Sequence, residues 1–177
     1  LEVSLSLKDL PLLLQRIYAS RSITHADELD YTLAKLLPFT FLKGIDTAVQ
    51  LLTVALQQQQ SVLIVGDFDA DGATSTALAI KALTAFGFEN ISYLVPNRFK
   101  FGYGLTPEIV EVALEYQPDM ILTVDNGISS IKGVAAAHAA GVKVLITDHH
   151  LAGKELPQAD AIVNPNQPGD SFASKSL

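Results

Sequence analysis

The chain contains no cysteine, so disulfides and thiolate metal sites are closed to it, in keeping with a reducing compartment. It has no apolar run near the ~20 residues that a membrane helix requires. Glu2, Lys8 and Asp9 interrupt the N-terminus where a secretory signal would be continuous. The expectation is a soluble, non-exported, cytoplasmic protein without a membrane partner. Positive charge is also scarce: 12 Lys and Arg stand against 19 Asp and Glu, for a formal charge of −7. A field of that sign repels nucleic acid, so such binding would need a local basic patch or bound cations. No repeat of solenoid type is visible. A composition 49% hydrophobic and 18% charged over 177 residues excludes disorder and leaves room for one domain with a real core.

What the chain does have is Val62-Leu63-Ile64-Val65-Gly66-Asp67-Phe68-Asp69-Ala70-Asp71-Gly72, an apolar run that stops in three alternating aspartates. A β-branched run ended by glycine fits a strand buried on both faces, as in a parallel sheet. If the chain stays extended past Gly66, Asp67, Asp69 and Asp71 share one side. Carboxylates held that close raise one another's pKa unless a cation neutralises them. The calcium loop of an EF-hand is the nearest look-alike, but its closing glutamate falls on Leu78, and the segment follows a strand. A solvated acidic turn is the plainer alternative, and the lesser one, since Asp and Gly are ordinary turn formers.

Residues 1–60 read as helical. Leu10, Leu13, Leu14 and Ile17 have helical spacing; Thr24 is placed to cap a second segment with Asp27 three residues on; a third begins after Gly44 with Asp46 as cap. His25 reads as a surface residue. This segment is expected to be an appendage on a domain at 61–177, where strands and helices alternate. A helix at 73–86 is closed by Gly87, a strand follows at 91–95, and the loop 96–105 mixes two cations, three aromatics and two glycines. Thr106 caps a helix with Pro107 at its first position. Strands are expected at 120–124, 142–146 and 161–163, and Ser129 caps a helix at 131–140 whose His138 reads as a surface or packing residue.

Strands joined by single helices imply right-handed parallel crossovers, which bring the strand C-termini to one edge where ligands bind. The expected fold is therefore α/β, a Rossmann-like parallel sheet of about five strands with flanking helices, preceded by the helical segment. Three strands end in acid: Asp67, Asp69 and Asp71; then Asp125-Asn126-Gly127; then Asp148-His149-His150. Two adjacent histidines reach one site only through a bend. Carboxylate and imidazole ligands without thiolate suit Mn2+, or less strongly Mg2+, better than structural zinc. Many carboxylates imply two ions, and a pair of ions suits phosphoester hydrolysis. Arg98 would then bind phosphate through its planar fork, unless it pairs with a surface acid. Tyr103 and Gly104 are candidates beside it, with a core tyrosine and a tight turn as the plainer alternatives.

Four segments taken together resemble the DHH phosphoesterase superfamily, and within it the RecJ-type single-stranded-DNA-specific exonucleases. They are Gly66 to Ser75, Pro96-Asn97-Arg98 with Gly102 to Leu105, Thr123 to Ser129, and Thr147-Asp148-His149-His150. The resemblance implies that Asp69, Asp71, Asp125, His149 and His150 are metal ligands, Asp125 being shared between two Mn2+ sites. Asp67 and Asp148 match motif acids that support the ligands or the attacking water. It further implies 5′ to 3′ degradation of single-stranded DNA in repair and recombination, with single-strand-binding protein and a helicase as partners. Other members of the superfamily act on short oligonucleotides, cyclic dinucleotides or pyrophosphate, and an inactive replication scaffold is a third reading, against which the intact ligand set speaks. Family members continue past Leu177 with another aspartate ligand, a DHH-associated domain and an OB-fold. Asp170 and Ala173 stand where the pattern has Cys and Pro. The expectation is an N-terminal fragment with an incomplete metal site, weakly active or inactive by itself.

Overall fold

The computed structural model describes residues 7–30 and 32–175. Two compact units divide after Pro38. In the first, α1 (Leu12–Ser20) is accompanied by 3-10 turns at Leu7–Asp9, Ala26–Leu29 and Leu33–Lys35, so much of the expected helix is single turns. Leu10 lies ahead of α1, and no residue of α1 is buried. His25, not Thr24, caps the turn at Ala26–Leu29. Glu28 closes it, accepting through Oε1 from the backbone N–H of Thr24 at 2.9 Å and of His25 at 2.8 Å. Those two donors, Thr24 first, hold the exposed Glu28 carboxyl below its ordinary range.

The second unit contains α2 (Ile45–Gln57), β1 (Val62–Gly66), α3 (Ala70–Ala85), β2 (Ile91–Leu94), the single turn α4 (Arg98–Phe101), α5 (Pro107–Leu114), β3 (Met120–Val124), α6 (Ile131–Ala139), β4 (Lys143–Thr147) and β5 (Ala161–Val163). All strand pairs are parallel, in the order β2-β1-β3-β4-β5. This is the α/β sheet expected from the alternation of strands and helices. The order reverses between β1 and β3, which opens a crevice at their carboxyl ends.

Alternation of side chains along β1 divides the core in two. Val62 and Ile64 pack with Ala48 and Ala55 of α2 and Leu83 of α3. Leu63 and Val65 pack with Ile109 and Ala113 of α5 and Val134 and Ala137 of α6. Each fully buried aliphatic side chain of this kind contributes about 1.5–3 kcal/mol. Because α2 finds its apolar partners on the sheet, the compact unit begins at Phe39, ahead of residue 61.

Local departures from the expected boundaries have local causes. α2 is capped by Gly44, whose φ of +83° is left-handed, leaving Asp46 inside the first turn. α3 starts three residues early, at Ala70, because Asp69 is its N-cap. β4 runs one residue later than expected, in register with β3 from Met120–Lys143 to Val124–Thr147. Ser130 instead of Ser129 precedes α6, and its hydroxyl accepts from the Leu105 N–H at 2.9 Å. No single helix among the described residues is long and apolar enough to cross a membrane.

Candidate metal centre

The site lies where β1, β3 and β4 end. After β1 the aspartates do not continue in extended alternation. The Asp69 carboxylate turns the chain into α3 by accepting from the backbone N–H of Asp71 at 3.1 Å and of Gly72 at 3.0 Å. Asp71 therefore sits in the first helical turn, and Asp67 remains on the strand side, its Oδ1 accepting from the Phe68 N–H at 2.6 Å. Gly72 is required here: a Cβ at this position would stand 2.3 Å from the Asp67 carbonyl oxygen.

After β3, Asp125 adopts a left-handed conformation, φ +62°, uncommon outside glycine. Its N–H stays on the sheet, donating to the Thr147 carbonyl at 3.0 Å. The turn directs a buried carboxylate toward β4, where Oδ1 meets His149 Nε2 at 2.8 Å. Burial pushes the Asp125 carboxyl up, His149 opposes this, and the neighbouring Asp69 charge adds to the rise. Asp69 is held low, chiefly by the Gly72 N–H and, against some desolvation, by the Asp125 carboxyl. These two acids thus adjoin, and Asp125 is the one that retains a proton more readily.

After β4, the side chain of Asp148 is almost wholly buried and supports the loop around it. Oδ2 accepts from the Ile128 N–H at 2.9 Å; Oδ1 accepts from the N–H of His149 at 2.7 Å and of His150 at 3.0 Å, and meets His150 Nδ1 at 2.7 Å. That last contact, working against burial, raises the His150 pKa above its ordinary value. The chain bends at His150, which lets the adjacent imidazoles share a side, their centroids 4.8 Å apart. One ligand atom each from Asp125, His149 and His150 lie within 4.8 Å of one another. Oxygen and imidazole donors converging on a buried acid, with no thiolate among them, fit a divalent metal.

Two clefts meet at this cluster, and Asp125 and Asp148 line both. One, of about 720 Å³, runs past Asp67, Tyr103 and Gly104 to Ser130 and Lys132 at the start of α6. The other, of about 550 Å³, is lined by Asp71, Thr74, Ser75, Leu78 and His149. Tyr103 is largely exposed, so the core alternative is excluded, and its ring lies 6.3 Å from that of Phe68. Gly104 has φ +71°, and a Cβ there would stand 2.9 Å from Ser130 Oγ, so the tight turn is real. The side chain of Arg98 lies outside the described residues; its backbone opens α4. His138, away from the site, meets Asp160 Oδ2 at 2.9 Å.

Sequence reasoning assigned no role to Asn126, Asn164 or Asn166. Asn126 ties two strand ends together, Nδ2 donating to the carbonyls of Val65 at 3.0 Å and Val124 at 2.9 Å. Asn164 donates to the His150 carbonyl at 3.0 Å, and Asn166 donates to that of His149. The available signal was two asparagines around a proline directly after a strand, a pattern that also describes any polar turn.

Comparison with known proteins places this arrangement. The single-stranded-DNA-specific exonuclease RecJ of Salmonella typhimurium is 54% identical over 169 residues, 96% of this chain and 29% of the relative. The chain thus spans less than a third of that protein's length. A crystal structure of exonuclease RecJ bound to manganese superimposes with a TM-score of 0.71 at 37% identity, covering 80% of this chain and 36% of the other. RecJ from Thermus thermophilus in complex with Mn2+ gives 0.67 at 35% identity, over 88% and 22%. The family model described as DHH family, N-terminal domain, matches residues 61–176, which contain every strand of the sheet and all three acidic strand ends. On that match the chain belongs to the DHH family.

Proposed function

We propose that the chain is the catalytic core portion of a two-metal-dependent 5′ to 3′ single-stranded DNA exonuclease, with Mn2+ as its ion and Mg2+ as a substitute. The observation that carries this reading is the convergence of Asp125, His149 and His150 at the edge of the sheet, with Asp69 adjoining Asp125. Asp69, Asp71, Asp125, His149 and His150 would hold the metal, which supplies a lowered pKa for an attacking water and a positive field for the phosphoryl oxygens. Asp148 holds the histidine loop in place, and Asp67 lines the wider cleft beside the cluster. Arg98, Tyr103 and Gly104 are assigned to binding the substrate phosphate; Tyr103 and Gly104 line that cleft, and Lys132 adds a cation to its wall.

The DHH domain is taken as residues 61–177, with 1–60 as an N-terminal helical segment. Cytoplasmic DNA repair and recombination are the setting, with single-strand-binding protein and a helicase as partners. The test is Mn2+-dependent release of mononucleotides from 5′- and 3′-end-labelled single-stranded DNA, by the chain and by a longer protein that contains it. Inert long protein, or an Asp69→Ala variant as fast as the parent, overturns the reading.

A further inference from the structure

The main chain of His149–His150 is held by side chains at each of its four polar groups. Both N–H groups donate to one oxygen of Asp148, at 2.7 Å and 3.0 Å. Both carbonyls are held from the opposite direction, that of His150 by Asn164 Nδ2 at 3.0 Å and that of His149 by Asn166 Nδ2. Consecutive residues of an extended strand present their side chains to opposite faces. Fixing the peptide planes on both sides of the bend is what brings two neighbouring imidazoles to the same acid.

The asparagines are themselves anchored. Asn164 is fully buried, and its Oδ1 accepts from the Asn166 N–H at 2.7 Å, which joins the two donors into one unit. Gln167 then ties the segment to the start of the sheet unit, Nε2 donating to the Lys43 carbonyl at 3.0 Å. Asp170 completes the tie by accepting from the Lys43 N–H at 2.8 Å. This polar stretch is therefore a clasp built across two loops distant in sequence.

We propose that Asn164 and Asn166 are positioning residues of the metal centre, clamping the His149–His150 main chain against Asp148 so that both imidazoles converge on Asp125. The inference rests on the metal-centre reading above. Groups that orient metal ligands typically account for 10–100-fold in metal affinity.

The experiment uses Asn166→Ala and Asn164→Asp, the second being an isosteric change that keeps the buried volume and removes the donor. Free Mn2+ is titrated by electron paramagnetic resonance, and the histidine ring 1H–15N signals are recorded in the metal-free protein. The expected result is a fall in Mn2+ affinity of roughly 10–100-fold, with both ring signals shifted or broadened. The proposal is overturned if ring signals and affinity match the parent, or if only the unfolding temperature falls while the folded fraction binds Mn2+ as before. Should the parent bind no Mn2+, the metal reading fails, and the ring signals alone decide whether the asparagines position the pair.

Discussion

His150 Nδ1 lies 2.7 Å from Asp148 Oδ1, the same oxygen that receives the backbone N–H groups of His149 and His150. A single buried carboxylate therefore fixes the path of the loop and engages one nitrogen of the His150 imidazole. Partners of this kind set the tautomer and basicity of a metal-binding histidine.

The first prediction concerns pH. The hydrogen bond from Asp148 raises the folded-state pKa of His150 above the ordinary 6.5. The stabilisation is therefore fully present below the unfolded-state value and is lost as pH rises through the folded-state value. A metal must displace the remaining proton, so Mn2+ affinity should decline on acidification sooner than for an ordinary histidine. Titration of the metal-free protein by NMR checks this: Asp148→Asn should bring the His150 midpoint down, and an unchanged midpoint refutes the assignment.

Asp125→Asn should fold. Asparagine tolerates the left-handed conformation at φ +62° and removes the charge repelled by Asp69. The metal-free variant should melt at or above the parent temperature, yet lose Mn2+ affinity by more than the roughly 10–100-fold typical of groups that only orient ligands. Calorimetry with and without Mn2+ separates the two effects.

Asp69 has two duties that different substitutions can part. Asp69→Ser keeps an N-cap acceptor for the Asp71 and Gly72 N–H groups and removes the carboxylate; Asp69→Ala removes both. Serine should preserve the unfolding midpoint and weaken Mn2+ binding, whereas alanine should lower both. Equal stability losses in the two variants would show that the cap is not what the carboxylate supplies.

Gly72→Ala places a methyl group 2.3 Å from the Asp67 carbonyl oxygen, a backbone atom that cannot swing aside. Overpacking of this kind costs about 1–3 kcal/mol. Denaturant unfolding should register that loss, and the shift of Asp67 and Asp69 should weaken Mn2+ binding. A variant as stable as the parent would mean that the β1–α3 turn relaxes freely.

Much of the α/β unit is legible in the chain. Apolar runs such as Val62–Val65 and Met120–Val124 are strands because two-sided burial in a parallel sheet selects continuous β-branched and aliphatic residues. Acids at three of their carboxyl ends reach one edge because parallel crossovers leave no other arrangement. Helix ends were less legible: extended alternation of Asp67, Asp69 and Asp71 competes with N-capping by Asp69, and capping prevails because it satisfies two backbone donors.

By itself, then, the sequence determined the elements, the parallel sense of the sheet and the acid and imidazole chemistry of its edge, since periodicity, strand-end composition and chain connectivity are local properties. Only the tertiary structure decided how those groups meet. The strand order places the turn after β3 between those after β1 and β4; the left-handed turn at Asp125 swings its carboxylate to His149; and Asn164 and Asn166 fold back to hold the histidine carbonyls. These are contacts between loops far apart in the chain, and no local pattern encodes them because their geometry exists only once the sheet has brought the strand ends together.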